Sequence, residues 1–81
     1  MELADRVAVV TGAASGIGRA LAHRFAEEGA KGVVVADLDG EGAERLAAEI
    51  GAQAISVRAD VGVETDNIAL IDAAEARFGA V

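Results

Sequence analysis

The sequence predicts an α/β fold in which three parallel strands alternate with three helices, β-α-β-α-β-α. Three observations predict it. The runs Val7–Val10 and Val33–Ala36 are short and wholly apolar, as strands covered on both faces of a parallel sheet are. Apolar residues after each run recur at helical spacing. Gly29, Gly51 and Gly79 stand where the helical stripes stop, at positions where a left-handed cap is cheap only for glycine.

The first strand, Val7-Ala8-Val9-Val10, leads into a helix whose inward stripe is expected at Ile17, Ala20, Leu21 and Phe25. The second strand, Val33-Val34-Val35-Ala36, ends in Asp37, and Asp39 stands where the next helix wants an N-cap. Ala43, Leu46, Ala47 and Ile50 form that helix's inward stripe. A third strand from Gln53 to Arg58 alternates more, with Ala54, Ile55 and Val57, and suits a place nearer the sheet edge. Leu70, Ile71, Ala74 and Phe78 mark the third helix. Right-handed crossovers then predict strand order 3-2-1, the first part of a doubly wound sheet. No linker, repeat or low-complexity tract divides residues 1–81.

Composition narrows the function classes. The chain has 81 residues, 53% of them hydrophobic, far too many for disorder. No apolar run approaches the ~18 residues of a membrane span. Glu2 and Asp5 stand where an export signal would carry positive charge. Without cysteine there is no disulfide framework and no thiolate metal site, and a cytoplasmic protein is the simplest reading. The formal net charge is −7, from 14 acids against 7 basic residues. Those bases are few and scattered, and two Phe with no Tyr or Trp leave little for base stacking. Nucleic acid and anionic membranes are therefore not expected partners; the acids read as solvated helix faces.

Between the first strand and helix lies Thr11-Gly12-Ala13-Ala14-Ser15-Gly16-Ile17-Gly18. A pyrophosphate at a helix start is held by backbone N–H groups and the positive end of the helix dipole, and side chains would block its approach. Gly12 suits the tight exit from the strand, Gly16 a close approach of backbone to ligand, and Gly18 tight packing of the helix. Ser15 can offer its hydroxyl to phosphate or ribose, and Ile17 its amide. A plain tight turn is the alternative, but the strand before, the helix after and the acid at Asp37 together favour a Rossmann-type dinucleotide site. Asp37, at the end of the second strand, can accept hydrogen bonds from the adenosine ribose hydroxyls of NAD and repels the 2′-phosphate of NADP; its plainer reading is a turn or cap residue.

The spacing is Thr-Gly-x-x-x-Gly-x-Gly rather than the common Gly-x-Gly-x-x-Gly. With the text around it, Arg6 to Ala20, it resembles the N-terminus of the short-chain dehydrogenase/reductase family. Asp60-Val61 after the third strand resembles that family's adenine-contacting pair, and Arg77-Phe78-Gly79 the stretch before its fourth strand. The resemblance implies that the Asp60 carboxylate meets the adenine amino group and the Val61 amide a ring nitrogen; the alternative for Asp60 is an ordinary loop aspartate. NADP-preferring relatives carry a basic residue just before the second glycine or just after the acid. Here those positions are Ser15 and Leu38, so NAD is the expected cofactor.

The resemblance also implies a catalytic serine, tyrosine and lysine with a supporting asparagine, all further along the chain. Here there is no Tyr; Lys31 lies far from the cofactor end, Ser15 and Ser56 lie in the turn and third strand, and Asn67 lies in the third helix. No residue receives a catalytic role, and the 81 residues alone are not expected to turn over substrate. Gly62, where relatives often have a Ser or Thr cap, and Asn67, on the third helix's inward stripe, are each expected to weaken that helix by ~1 kcal/mol. His23 reads as a solvated surface residue and Glu27-Glu28 as a solvated helix end. In the complete fold a fourth strand pairs with the first. Without it the Val7–Val10 edge is open, so these residues alone are expected to be marginally stable and to self-associate, while the complete protein is expected to be a homo-oligomer.

The sequence therefore reads as the N-terminal NAD-binding part of a short-chain oxidoreductase, cut before a fourth strand that Ala80-Val81 begins. A stand-alone NAD or adenine-nucleotide module is the second reading. A methyltransferase is the third, and the glycine turn opposes it, because a methyl donor without pyrophosphate does not need one.

Overall fold

The computed structural model describes residues 6–79. Strands β1 (Val7–Thr11), β2 (Gly32–Asp37) and β3 (Ala54–Arg58) alternate with helices α1 (Gly16–Glu27), α2 (Gly40–Ile50) and α3 (Glu64–Phe78). The strands form one parallel sheet in the order β1-β2-β3. The register sets Val10 beside Val35 and Thr11 beside Ala36, with Asp37 beside Arg58. All three strands therefore end at the same edge of the sheet, and the β1–α1 turn, Asp37 and Asp60 meet there.

The central strand is covered on both faces, with Val33, Val34, Val35 and Ala36 fully buried. On one face Val33 and Val35 pack with Val10, Ala22, Ala43 and Leu46 beneath α1 and α2. On the other, Val34 and Ala36 meet Leu70, Ala74 and Phe78 of α3. β1 departs from the expectation of full cover: Val10 is buried, but Val7, Ala8 and Val9 are only half-buried. It is an edge strand among the described residues, so one side lacks a neighbour. β3, also at an edge, is half-buried along most of its length.

The helix ends follow their capping chemistry. Ser15 caps α1 through its hydroxyl, and Asp39 caps α2 by accepting from the Gly42 amide at 3.0 Å. Gly29, Gly51 and Gly79 all have positive φ. α3 begins at Glu64, and its N-cap is Val63, without a side-chain bond. The expected cap position, Gly62, instead lies in the preceding turn and donates its amide to Asp60 Oδ1 at 2.9 Å.

The expected inward stripe of α1 is corrected. Ile17 is 79% exposed and Leu21 46% exposed, and Ala20 is exposed too, while Gly18 and Ala22 are buried and Phe25 and Ala26 half-buried. The close seat of the helix on its own turn selects the smallest residues: a Cβ at Gly18 would stand 2.3 Å from the Gly12 carbonyl oxygen. In α3, Leu70, Ala74 and Phe78 face inward as expected, whereas Ile71 is 41% exposed. No helix of the described residues is long and apolar enough to cross a membrane.

Candidate functional site

The glycine turn is shaped by local bonds. Gly12 adopts φ +63°, a left-handed conformation that glycine takes without strain. The Ser15 amide donates to the Gly12 carbonyl at 3.1 Å, and the Ser15 hydroxyl donates to that same oxygen at 2.7 Å. Ser15 Oγ in turn accepts from the Gly18 amide at 3.3 Å. The hydroxyl expected to meet phosphate or ribose is thus engaged in folding the turn, although Ser15 remains exposed.

Helix geometry leaves the first amides of α1 without an intrahelical carbonyl. Arg19 N–H is the donor to the Ser15 carbonyl, at 2.9 Å, so the amides of Gly16 and Ile17 precede that bond. A Cβ at Gly16 would meet nothing within 4 Å; the protein itself does not require glycine there. α1 has no acidic residue in its first turn, whereas α2 has Glu41 and α3 has Glu64 and Asp66. Its own first turn therefore supplies no carboxylate to the positive end of the helix.

Beside the turn a crevice of about 150 Å³ is lined by Gly12, Asp37, Leu38, Ala59, Asp60 and Val61. It brings together five of the nine residues selected from the sequence; Ser15, Gly16, Ile17 and Gly18 form the adjoining turn and helix start. Leu38 and Val61 are 56% and 53% exposed, two apolar side chains beside the polar groups of Asp37 and Asp60. Ala59 was not anticipated. It is buried, and its amide donates to the Asp37 carbonyl at 3.1 Å, which joins the β3 exit to the end of β2.

The wall carrying Asp60 and Val61 is fixed by α3. Asp66 Oδ2 accepts from the Asp60 amide at 3.0 Å, and Asn67 Nδ2 donates to the Val61 carbonyl at 2.9 Å. The expectation that Asn67 only weakens the helix is thereby revised, since its amide ties the loop to α3. Lys31 is exposed at the opposite end of the sheet, its backbone N–H donating to the Arg6 carbonyl at 2.8 Å.

His23 is not simply solvated. It is half-buried, with Nε2 3.0 Å from Glu49 Oε1, and Arg19 donates to the same carboxylate. The hydrogen bond from His23, aided by the Arg19 charge, holds the Glu49 carboxyl below its ordinary 4.5, against a smaller opposing effect of desolvation. A carboxyl lowered by folding contributes stability above its unfolded value and loses it as pH falls through the folded value. Melts of the parent and Glu49→Gln, run from about pH 6 down to about pH 3, are expected to show a small parental advantage that shrinks toward the acid end and with added salt. Glu27 and Glu28 are exposed, as expected, and Glu28 accepts from Arg24 Nε at 2.8 Å.

An open parallel sheet with its crevice outside the carboxyl ends of the strands, beside a glycine turn that opens a helix, defines the class: a Rossmann-type unit with its site where such sheets take ligands. Within that class the chain belongs to the short chain dehydrogenase family, whose model matches residues 6–81. It is 59% identical over 64 residues to 1-deoxy-11-beta-hydroxypentalenate dehydrogenase of Streptomyces exfoliatus, covering 75% of this chain and 23% of that protein. It is 49% identical over 79 residues to momilactone A synthase of Oryza sativa subsp. japonica, covering 96% and 28%. Among solved structures it is similar to a 3-ketoacyl-(acyl-carrier-protein) reductase from Brucella melitensis complexed with NADH, with TM-score 0.88, 52% identity and coverage of 93% and 31%. It is also similar to a short chain dehydrogenase/reductase from Burkholderia phymatum in complex with NAD, with TM-score 0.91, 42% identity and coverage of 100% and 30%. The chain thus spans between a quarter and a third of the length of most of these relatives. Together they place it among short-chain oxidoreductases with NAD-bound structural neighbours.

Proposed function

We propose that these residues are the NAD(H)-binding part of a short-chain oxidoreductase that moves hydride between NAD and an alcohol or carbonyl substrate. The observation that carries the reading is the junction of the glycine turn with the crevice lined by Asp37, Leu38, Asp60 and Val61. In this reading the amides of Gly16 and Ile17 hold the pyrophosphate, and the Asp37 carboxylate accepts from the adenosine ribose hydroxyls. Leu38 and Val61 flank the adenine, with Asp60 and the Val61 amide at its edge. Bound NAD supplies the hydride acceptor; the residues here bind and orient it, and the groups that move the proton of the substrate come from elsewhere in the protein. A 2′-phosphate about 4 Å from Asp37 costs about 1 kcal/mol in water-like surroundings and ~4 at an effective dielectric near 20, which favours NAD by several-fold to about a thousandfold.

Calorimetric titration with NAD and NADP is the direct test, and Gly16→Val sharpens it. A Cβ at position 16 would meet nothing within 4 Å, so the melting temperature is expected to change little, while NAD affinity falls by roughly tenfold or more as the side chain enters the phosphate's approach. Equal NAD binding by parent and variant, or tighter binding of NADP, would remove the reading.

A further inference from the structure

The Asp37 carboxylate has two hydrogen-bond partners among the described residues. Oδ2 accepts from the Ala14 amide, 23 residues earlier, at 3.0 Å, and Oδ1 accepts from the Asp39 amide at 2.9 Å. Its backbone carbonyl accepts from Ala59. One residue thus joins the β1–α1 turn, the approach to α2 and the exit of β3.

The turn has reason to need such a tie. Gly12, Gly16 and Gly18 give its backbone wide freedom, and the bonds among Gly12, Ser15 and Gly18 are all local. Two bonds hold it to β2: the Ala13 amide to the Ala36 carbonyl at 3.1 Å, and the Ala14 amide to the Asp37 side chain. The second has an ionised acceptor and is the stronger kind. An ionised carboxylate has room for about four hydrogen bonds; two are filled among the described residues, which leaves acceptor capacity for a ligand in the crevice that Asp37 lines.

We propose that Asp37 is a positioning residue for the phosphate-holding turn, acting through the Ala14 amide, in addition to any contact with ribose. The inference rests on the NAD reading for its ligand, but its structural half is independent of NAD. It has a consequence for cofactor choice: removing the carboxylate to relieve repulsion of a 2′-phosphate also frees the turn that must hold the pyrophosphate.

The test compares the intact protein with Asp37→Ala and Asp37→Asn. In ligand-free protein, the Ala14 amide is expected to exchange hydrogen roughly tenfold faster in Asp37→Ala, the factor that loss of one such bond gives. The Val34 and Val35 amides are expected to stay protected. Asp37→Asn, which keeps one carbonyl acceptor, is expected to fall between. Titrations with NAD and with NAD lacking the adenosine 2′- and 3′-hydroxyls separate the two roles. A positioning role predicts that Asp37→Ala weakens binding of the dideoxy cofactor several-fold as well. Equal dideoxy affinity in parent and variant would overturn the proposal, as would unchanged exchange at Ala14. So would acceleration of Ala14, Val34 and Val35 together in both variants, which would make Asp37 a general brace of the sheet. If the parent binds no NAD, the functional reading fails, and exchange at Ala14 still decides whether Asp37 holds the turn.

Discussion

Gly18→Ala is expected to destabilise the protein by about 2–3 kcal/mol and to weaken NAD binding by about ten- to a hundredfold. The new Cβ would stand 2.3 Å from the Gly12 carbonyl oxygen, 2.8 Å from its carbon and 2.9 Å from Ala13 Cα. All three are backbone atoms, so no side chain can swing aside. The helix must lift until the contact opens to at least 3.4 Å, and lifting it pulls the Gly18 amide from Ser15 Oγ and redirects the amides at the helix start. Alanine's better helix propensity returns at most ~1 kcal/mol. Urea denaturation and NAD titration check both effects. Position 16 is the internal control: there a Cβ meets nothing within 4 Å, so damage confined to binding at 16 and shared by folding and binding at 18 separates ligand space from packing space.

Phe78→Ala is expected to cost about 3–5 kcal/mol, a large share of the 5–15 kcal/mol of a whole domain. Phe78 is buried with Leu70, Ala74, Val34 and Ala36, and it is the one aromatic residue between α3 and the sheet. Its ring lies directly over Gly32, where a Cβ would meet three ring atoms at 2.5–2.6 Å. Gly32→Ala alone is therefore also destabilising, by about 1–3 kcal/mol. The double variant is expected to lose less than the sum, because alanine at 32 takes up part of the space left at 78. A double-mutant cycle by urea denaturation measures this coupling; additive losses would mean that the ring and Gly32 act independently.

Strands, the Asp39 cap of α2, the glycines that end the helices and the glycine turn were legible because each depends on residues close in sequence. Asp39 next to α2, and glycines at φ +86°, +103° and +88°, need no knowledge of the tertiary fold. The α1 face was misread because periodicity gives weight to bulky apolar residues, whereas the contact with the turn admits only small ones. Ile17 and Leu21 carried the signal, whereas Gly18 makes the contact with the turn and Ala22 is buried in the core beneath the helix. In the site, Gly12, Asp37, Leu38, Asp60 and Val61 share one crevice, since a parallel sheet in register brings successive strand ends together. Less legible were the roles of Ala14, Ala59 and Asn67. Two of them act through backbone amides, which any residue type possesses, and Asn67 reaches a carbonyl that carries no sequence signature.

The order β1-β2-β3 pairs every strand with its successor. Val7 meets Gly32 and Val33 meets Ala54, so roughly two dozen residues separate strand partners and loop closure is inexpensive. The residues that line the crevice end at Val61, and the bonds that fix its wall reach only to Asp66 and Asn67 in α3. On a ribosome, where synthesis proceeds from the N-terminus and early units fold first, its walls can therefore assemble while later sequence is still being made. If the proposed dinucleotide binds at that stage, it would stabilise the nascent unit by mass action, so that ligand and fold would assemble together.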